Sequence, residues 1–116
     1  MKVLIVFLLV AWPRGAYAEV VCVPGGLKAL AALLEQKPAE ELVFFASWCR
    51  SCKPHIENLQ PDQVLIASFD EQVAAEKVVR LLSKGGQQPR CLWDEGNEIA
   101  EHYGVKGLPA SRKVRP

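Results

Sequence analysis

Cys49 and Cys52 lie two residues apart in the run Trp48-Cys49-Arg50-Ser51-Cys52-Lys53. Two cysteines with that spacing, at a strand-to-helix junction, can close a small reversible disulfide. The positive end of a helix favours the thiolate of the first cysteine. Arg50 and Lys53 add positive charge beside it and push in the same direction. The chemistry such a pair can do is thiol–disulfide exchange. Cys49 attacks a partner disulfide, a mixed disulfide forms, and Cys52 resolves it.

Two other uses of the cysteines compete with that reading. The dithiol could hold a soft metal such as Cu(I), which thiolates suit, or Cys49, Cys52 and His55 together could ligate a metal. Structural zinc generally takes four ligands, and no matched second pair is present, with His102 too remote in sequence to count on. The expectation is therefore no metal and no cofactor, with His55 facing solvent. The remaining pair, Cys22 and Cys91, could form a structural disulfide or stay as two small apolar side chains. Spacing alone does not settle connectivity.

The elements that must position the dithiol read as an alternation of strands and helices. The apolar run 42–46 suits a strand covered on both faces. A helix should run from about 49 towards 59, where Pro61-Asp62 ends it. Pro54, five residues in, should kink it. Upstream, Leu27, Leu30, Ala31 and Leu34 fall on one helix face before Pro38. Its weakly basic polar face favours packing in the fold over lying on a membrane. Downstream, 64–69 reads as a second strand. Ala74, Val78, Leu81 and Leu82 mark the buried face of another helix, with Lys84 in its last turn and Gly85-Gly86 closing it. Residues 90–93 form a short strand, with Trp93 in the core. Asn97 can cap a short helix carrying Ile99, Ala100 and Tyr103, which Gly104 ends. The pattern predicts a parallel-type α/β domain.

The first eighteen residues set the expected compartment. Lys2 precedes an apolar run over 3–12, then Pro13, Arg14 and Ala16-Tyr17-Ala18. This is the form of a secretory signal peptide cleaved after Ala18, and the run is short for a lasting bilayer anchor. An uncleaved anchor is the alternative. Cleavage removes Lys2 and Arg14 and no acid, so a chain of net charge +1 becomes one of net charge −1. Near-neutrality gives no electrostatic case for nucleic acid or an anionic membrane. The domain organisation is thus a signal peptide, 1–18, and one compact domain, 19–116, in an exported setting that permits disulfides.

The chain resembles thioredoxin-fold proteins, and among them the exported TlpA/ResA-like thiol–disulfide oxidoreductases. The residues that carry the resemblance are Phe45-Ala46-Ser47-Trp48-Cys49-Arg50-Ser51-Cys52-Lys53 and Tyr103-Gly104-Val105-Lys106-Gly107-Leu108-Pro109, in that order. Leu92-Trp93-Asp94 and Ile99-Ala100 between them also fit. The resemblance implies a three-layer α/β sandwich, with Cys49 as the attacking thiolate and Cys52 as the resolving thiol. Pro109 would be a cis-proline packed against the disulfide, with Leu108 presenting backbone to substrate. Trp48 would shield the site and form part of the substrate surface. It further implies a periplasmic reductant of disulfides in partner proteins, such as apocytochromes in cytochrome c maturation or metal-site assembly factors. A membrane or periplasmic electron donor would keep it reduced.

The chain also departs from that family. The buried acid that classical thioredoxins carry six residues before the first cysteine is Val43 here. Asp70 or Glu71 could stand in as a proton relay, at the place where ResA-like proteins put an acid. Glu71 also suits the first turn of a helix. After Pro109 the family continues with an apolar strand, a second antiparallel strand and a closing helix. Here the continuation is Ala110-Ser111-Arg112-Lys113-Val114-Arg115-Pro116. Its charges suit a buried central strand poorly. The expectation is a truncated member whose C-terminal strands and helix are missing and whose sheet is left with an open edge. An oxidant, a Cu(I)-delivery module and an inactive fragment are the rival functions.

Overall fold

The computed structural model describes residues 21–83 and 88–115. The expected signal peptide, and the helix stop expected at Lys84, Gly85 and Gly86, lie outside the described residues. No helix among the described residues is long and apolar enough to cross a membrane.

The elements in chain order are β1 (Val23–Gly25), α1 (Leu27–Gln36), β2 (Glu41–Phe45), a 3-10 turn (Arg50–Cys52) and α2 (Lys53–Glu57). They continue with β3 (Gln63–Ala67), α3 (Gln72–Leu82), β4 (Cys91–Asp94), a second 3-10 turn (Glu95–Asn97), α4 (Glu98–His102) and β5 (Ala110–Lys113). The strands form one sheet in the order β1-β4-β3-β2-β5. The first three contacts in that order are parallel, and β5 runs antiparallel to β2.

Alternation along the central strands builds two cores. Val43 and Phe45 of β2, Leu65 and Ala67 of β3, and Cys91 of β4 face one side, where Ile56 of α2 and Ala75 and Val79 of α3 cover them. Leu42, Phe44, Val64, Ile66 and Leu92 face the other side, beneath Leu30 of α1 and Ile99 and Ala100 of α4. Strands buried on both faces must be apolar at every position, which is why residues 42–45 and 64–67 show no polar alternation. The result is a mixed α/β domain with helices on both faces of a five-stranded sheet.

Glycine matters at the entry to α1. A Cβ on Gly26 would collide with the Glu98 carboxylate, which accepts the Leu27 N–H at 3.0 Å. Glu98 therefore caps α1 from the neighbouring helix, and Gly26 provides the room.

Several expectations need correction. The C-terminal segment is not strandless: β5 pairs Ala110 with Phe44, Ser111 with Val43, Arg112 with Leu42 and Lys113 with Glu41, so the edge beside β2 is occupied. Its charges are tolerated because β5 is itself an edge strand. Ser111 and Lys113 face solvent. Arg112 lies over α4, where its Nε donates to the Tyr103 carbonyl at 3.0 Å and its Nη2 to the Gly104 carbonyl at 3.4 Å. A cation at a helix C-terminus satisfies carbonyls that lack partners within the helix. Its guanidinium also donates to the Ser111 carbonyl at 2.9 Å.

The helix that follows the Cys-x-x-Cys turn is shorter than expected. It opens as a 3-10 turn and becomes α-helical only at Lys53, so Pro54 falls in its first turn. An N–H there has no intrahelical partner to lose, and no kink follows. In α1, Ala31 is exposed while Leu33 packs inward. In α3, Leu81 is 73% exposed, and the inner stripe is Ala75, Val78, Val79 and Leu82. Leu81 is two residues from Val79, which at 3.6 residues per turn puts it on the opposite side.

Asn97 occupies the N-cap position of α4 but makes no side-chain cap. The capping is done by Asp94, 2% exposed, whose carboxylate accepts the N–H groups of Ile99 and Ala100 at 2.8 and 2.9 Å. It also accepts the Ser68 hydroxyl at 2.8 Å. A buried carboxylate is tolerable only with such partners.

Candidate active site

The chain leaves β2 at Phe45 and turns at once. Cys49 N–H donates to the Ala46 carbonyl, and Cys52 N–H to the Cys49 carbonyl, both at 3.1 Å. This compact turn brings the two sulfurs together as a Cys49–Cys52 disulfide, with Cα atoms 5.4 Å apart. Cys52 is fully buried, while Cys49 keeps 6% of its surface. Of the two sulfurs, therefore, only that of the first cysteine belongs to a residue that solvent touches. Beneath them lie Ala46, Ile56 and Phe45, an apolar floor that excludes water from the inner sulfur.

A second strip of backbone, following β3, braces this turn. The Asp70 carboxylate accepts the Ser47 N–H at 2.5 Å and the Ser47 hydroxyl at 2.9 Å. The Trp48 indole N–H donates to the Phe69 carbonyl at 2.9 Å. The Trp93 indole N–H donates to the Asp70 carbonyl at 2.8 Å. Trp48 is nonetheless 63% exposed, so its indole stands on the surface beside Cys49, tethered at its nitrogen. Phe69, 37% exposed, adopts φ 60°, a left-handed conformation unusual for a bulky side chain. Next to it opens a groove of about 350 Å³ whose lining includes Phe69, Asn97, Glu101, Val105 and Lys106.

The sequence-predicted residues are distributed as follows. Arg50 and Lys53 are exposed on the dithiol turn. Leu108 is partly buried and packs against both cores, including the one that holds Cys49 and Cys52. The Leu108–Pro109 bond is cis, and Pro109 is exposed. Asp70 is committed to Ser47, two residues before Cys49. Glu71 is exposed at the N-cap position of α3 and makes no side-chain cap. His55 is exposed, and no three His, Cys, Asp or Glu side chains come together as a metal site among the described residues.

Cys22 and Cys91 form a second disulfide, with Cα atoms 4.5 Å apart. They are 0% and 2% exposed and belong to the same core as the first pair. The segment that carries Cys22 is held again from α3. Glu76 accepts the N–H groups of Val21 and Cys22, both at 3.0 Å, and Gln72 donates to the Cys22 carbonyl at 3.0 Å.

The sequence runs the second strand through Phe69, but β3 ends at Ala67 and Phe69 lies beyond it in a left-handed turn, and the helix-cap expectation gives Asn97 the wrong partner. Asn97, at φ 59°, turns its side chain away from α4, and its Oδ1 accepts the Phe69 N–H at 2.7 Å. The usable signal was Gly96-Asn97, a pair suited to consecutive left-handed residues. No family model, curated protein or solved structure matches the chain, so the chemistry of the site is read from its own residues.

Proposed function

We propose that this chain is an exported thiol–disulfide oxidoreductase of thioredoxin-like fold, with Cys49 and Cys52 as its redox dithiol. One observation carries the reading: a Cys-x-x-Cys disulfide sits on a tight turn at the end of the central strand β2, beside an exposed tryptophan. A disulfide with a three-residue separation does little to staple a fold, because the loop it closes is already short. Its outer residue, Cys49, keeps the solvent contact that exchange needs.

In the reducing direction, the Cys49 thiolate attacks one sulfur of a partner disulfide, and the partner's other sulfur leaves as a thiolate. The Cys52 thiol passes its proton to the partner thiolate just released and attacks the Cys49 sulfur. The second partner sulfur then leaves. Two electrons have passed: the partner holds a dithiol and Cys49–Cys52 is again a disulfide. Attack falls on Cys49 because Cys52 is sealed. Trp48, Leu108 and Pro109 supply the surface on which a partner chain lies. A membrane or periplasmic electron donor must reduce the pair for the next cycle. The substrates are disulfides in partner proteins, such as apocytochromes or metal-site assembly factors.

The test is disulfide reduction by the purified chain with insulin as substrate and dithiothreitol as donor. Wild type should accelerate insulin reduction, Cys49→Ser should fall to background, and Cys52→Ser should accumulate mixed disulfides visible on non-reducing gels. Full activity of Cys49→Ser would overturn the mechanism.

A further inference from the structure

Resting on the exchange function just proposed, we infer that Asn97 is a positioning residue for that reaction: it holds Phe69 so that the Phe69 carbonyl fixes the indole of Trp48 beside Cys49. Three observations converge. First, Asn97 stands where a helix cap is expected yet leaves that work to Asp94 and spends its Oδ1 on Phe69. Second, Phe69 takes a conformation that costs a bulky residue free energy and is retained only when neighbours hold it. Third, the two backbone groups of Phe69 make contacts in series: its N–H goes to Asn97 at 2.7 Å, and its carbonyl receives the Trp48 N–H at 2.9 Å.

The contact from the Trp48 indole to the Phe69 carbonyl is what the arrangement delivers to the site. Trp48 is 63% exposed, and an indole so poorly packed would sample several rotamers without its nitrogen tether. Releasing the tether leaves both sulfurs and their floor untouched and blurs the surface that meets a polypeptide. The loss is therefore in binding of a large substrate and not in the chemical step.

The variants separate backbone from side chain. Asn97→Gly keeps access to the left-handed conformation and removes the acceptor. Asn97→Asp keeps both. With insulin as the probe, Asn97→Gly should raise KM about three- to tenfold, the value of one neutral hydrogen bond, with kcat near wild type. Reduction of 5,5′-dithiobis(2-nitrobenzoate), too small to use the surface, should not change. The Trp48 indole N–H should exchange faster with solvent by NMR, and Asn97→Asp should restore both readouts. In a Trp48→Phe background, Asn97→Gly should have no further effect on KM, because the link it breaks is already gone.

An unchanged indole exchange rate in Asn97→Gly would overturn the proposal. So would an equal KM penalty in the Trp48→Phe background, which would make Asn97 merely structural. If wild type reduces neither substrate, the proposed function fails. The indole exchange rate still decides whether Asn97 positions Trp48.

Discussion

The two disulfides share one apolar core and differ in almost every other respect. Cys22–Cys91 joins residues 69 apart in sequence, ties the segment leading into edge strand β1 to β4, and is sealed on every side. Cys49–Cys52 joins residues three apart, lies on a turn at the end of the central strand, and leaves Cys49 touching solvent. On the proposed function, the difference separates a bridge that holds from a bridge that exchanges. A long closed loop removes much freedom from the unfolded chain, whereas a short one removes little. Access decides the rest, because exchange requires a thiolate to reach a sulfur in line with the bond.

The sharpest way to break the comparison is to remove each bridge and measure activity. Cys49→Ser should reduce insulin turnover to background. The double variant Cys22→Ala/Cys91→Ala, assayed at a temperature where it is folded, should stay within about twofold of wild type, since it leaves the attacking sulfur in place. Loss of activity in the second variant under those conditions would show that the sealed bridge takes part in catalysis.

Stability should respond in the opposite order. By loop-closure entropy, losing Cys22–Cys91 should cost about 4 kcal/mol, and losing Cys49–Cys52 about 2 kcal/mol. Urea unfolding of Cys22→Ala/Cys91→Ala and Cys49→Ala/Cys52→Ala reads both. Equal costs would remove the distinction between staple and tool. Wild type should unfold in one cooperative transition, as a chain with two continuous cores does. A broad, uncooperative transition would favour an inactive fragment.

A smaller effect sharpens the picture of the N-terminal anchor. Glu76→Ala strands the N–H groups of Val21 and Cys22 and should cost about 1 to 2 kcal/mol. Combined with Cys22→Ala/Cys91→Ala the losses should be non-additive by more than about 0.5 kcal/mol, because both act on one segment. Strict additivity in urea melts would mean that the two devices work independently.

The smallest expected effect is Arg112→Ala, at about 1 kcal/mol. It removes the guanidinium from the Tyr103 and Gly104 carbonyls just past the end of α4 and leaves the dithiol turn intact. Thermal unfolding should shift, and insulin turnover at 25 °C should not.

Much of this was legible in the sequence. The apolar runs of β2 and β3 announce strands buried on both faces, and the Cys-x-x-Cys turn announces itself by spacing. Arg112 was misread because charge in a strand was weighed as if the strand were central. An edge position, with helix-end carbonyls within reach, reverses that sign. Pro54 was misread because the helix was started at Cys49, and a 3-10 opening moves the proline into the first turn. Asn97 was misread because local preference makes an N-cap the default, and only the fold reveals that Asp94 has taken that role. The pairing of Cys22 with Cys91 was open for a plainer reason: nothing in a spacing of 69 residues says that β1 will lie beside β4.

The measurement closest to the central claim is a redox titration with bond-by-bond readout. The oxidised chain is equilibrated across glutathione buffers, quenched with acid, alkylated and mapped by peptide mass spectrometry. Cys49 and Cys52 should become alkylated together in one two-electron transition, while Cys22 and Cys91 stay bridged until denaturant is added. A Cys49–Cys52 bridge that resists reduction until the protein unfolds, or two bridges that open together, would contradict the assignment of Cys49–Cys52 as the working dithiol.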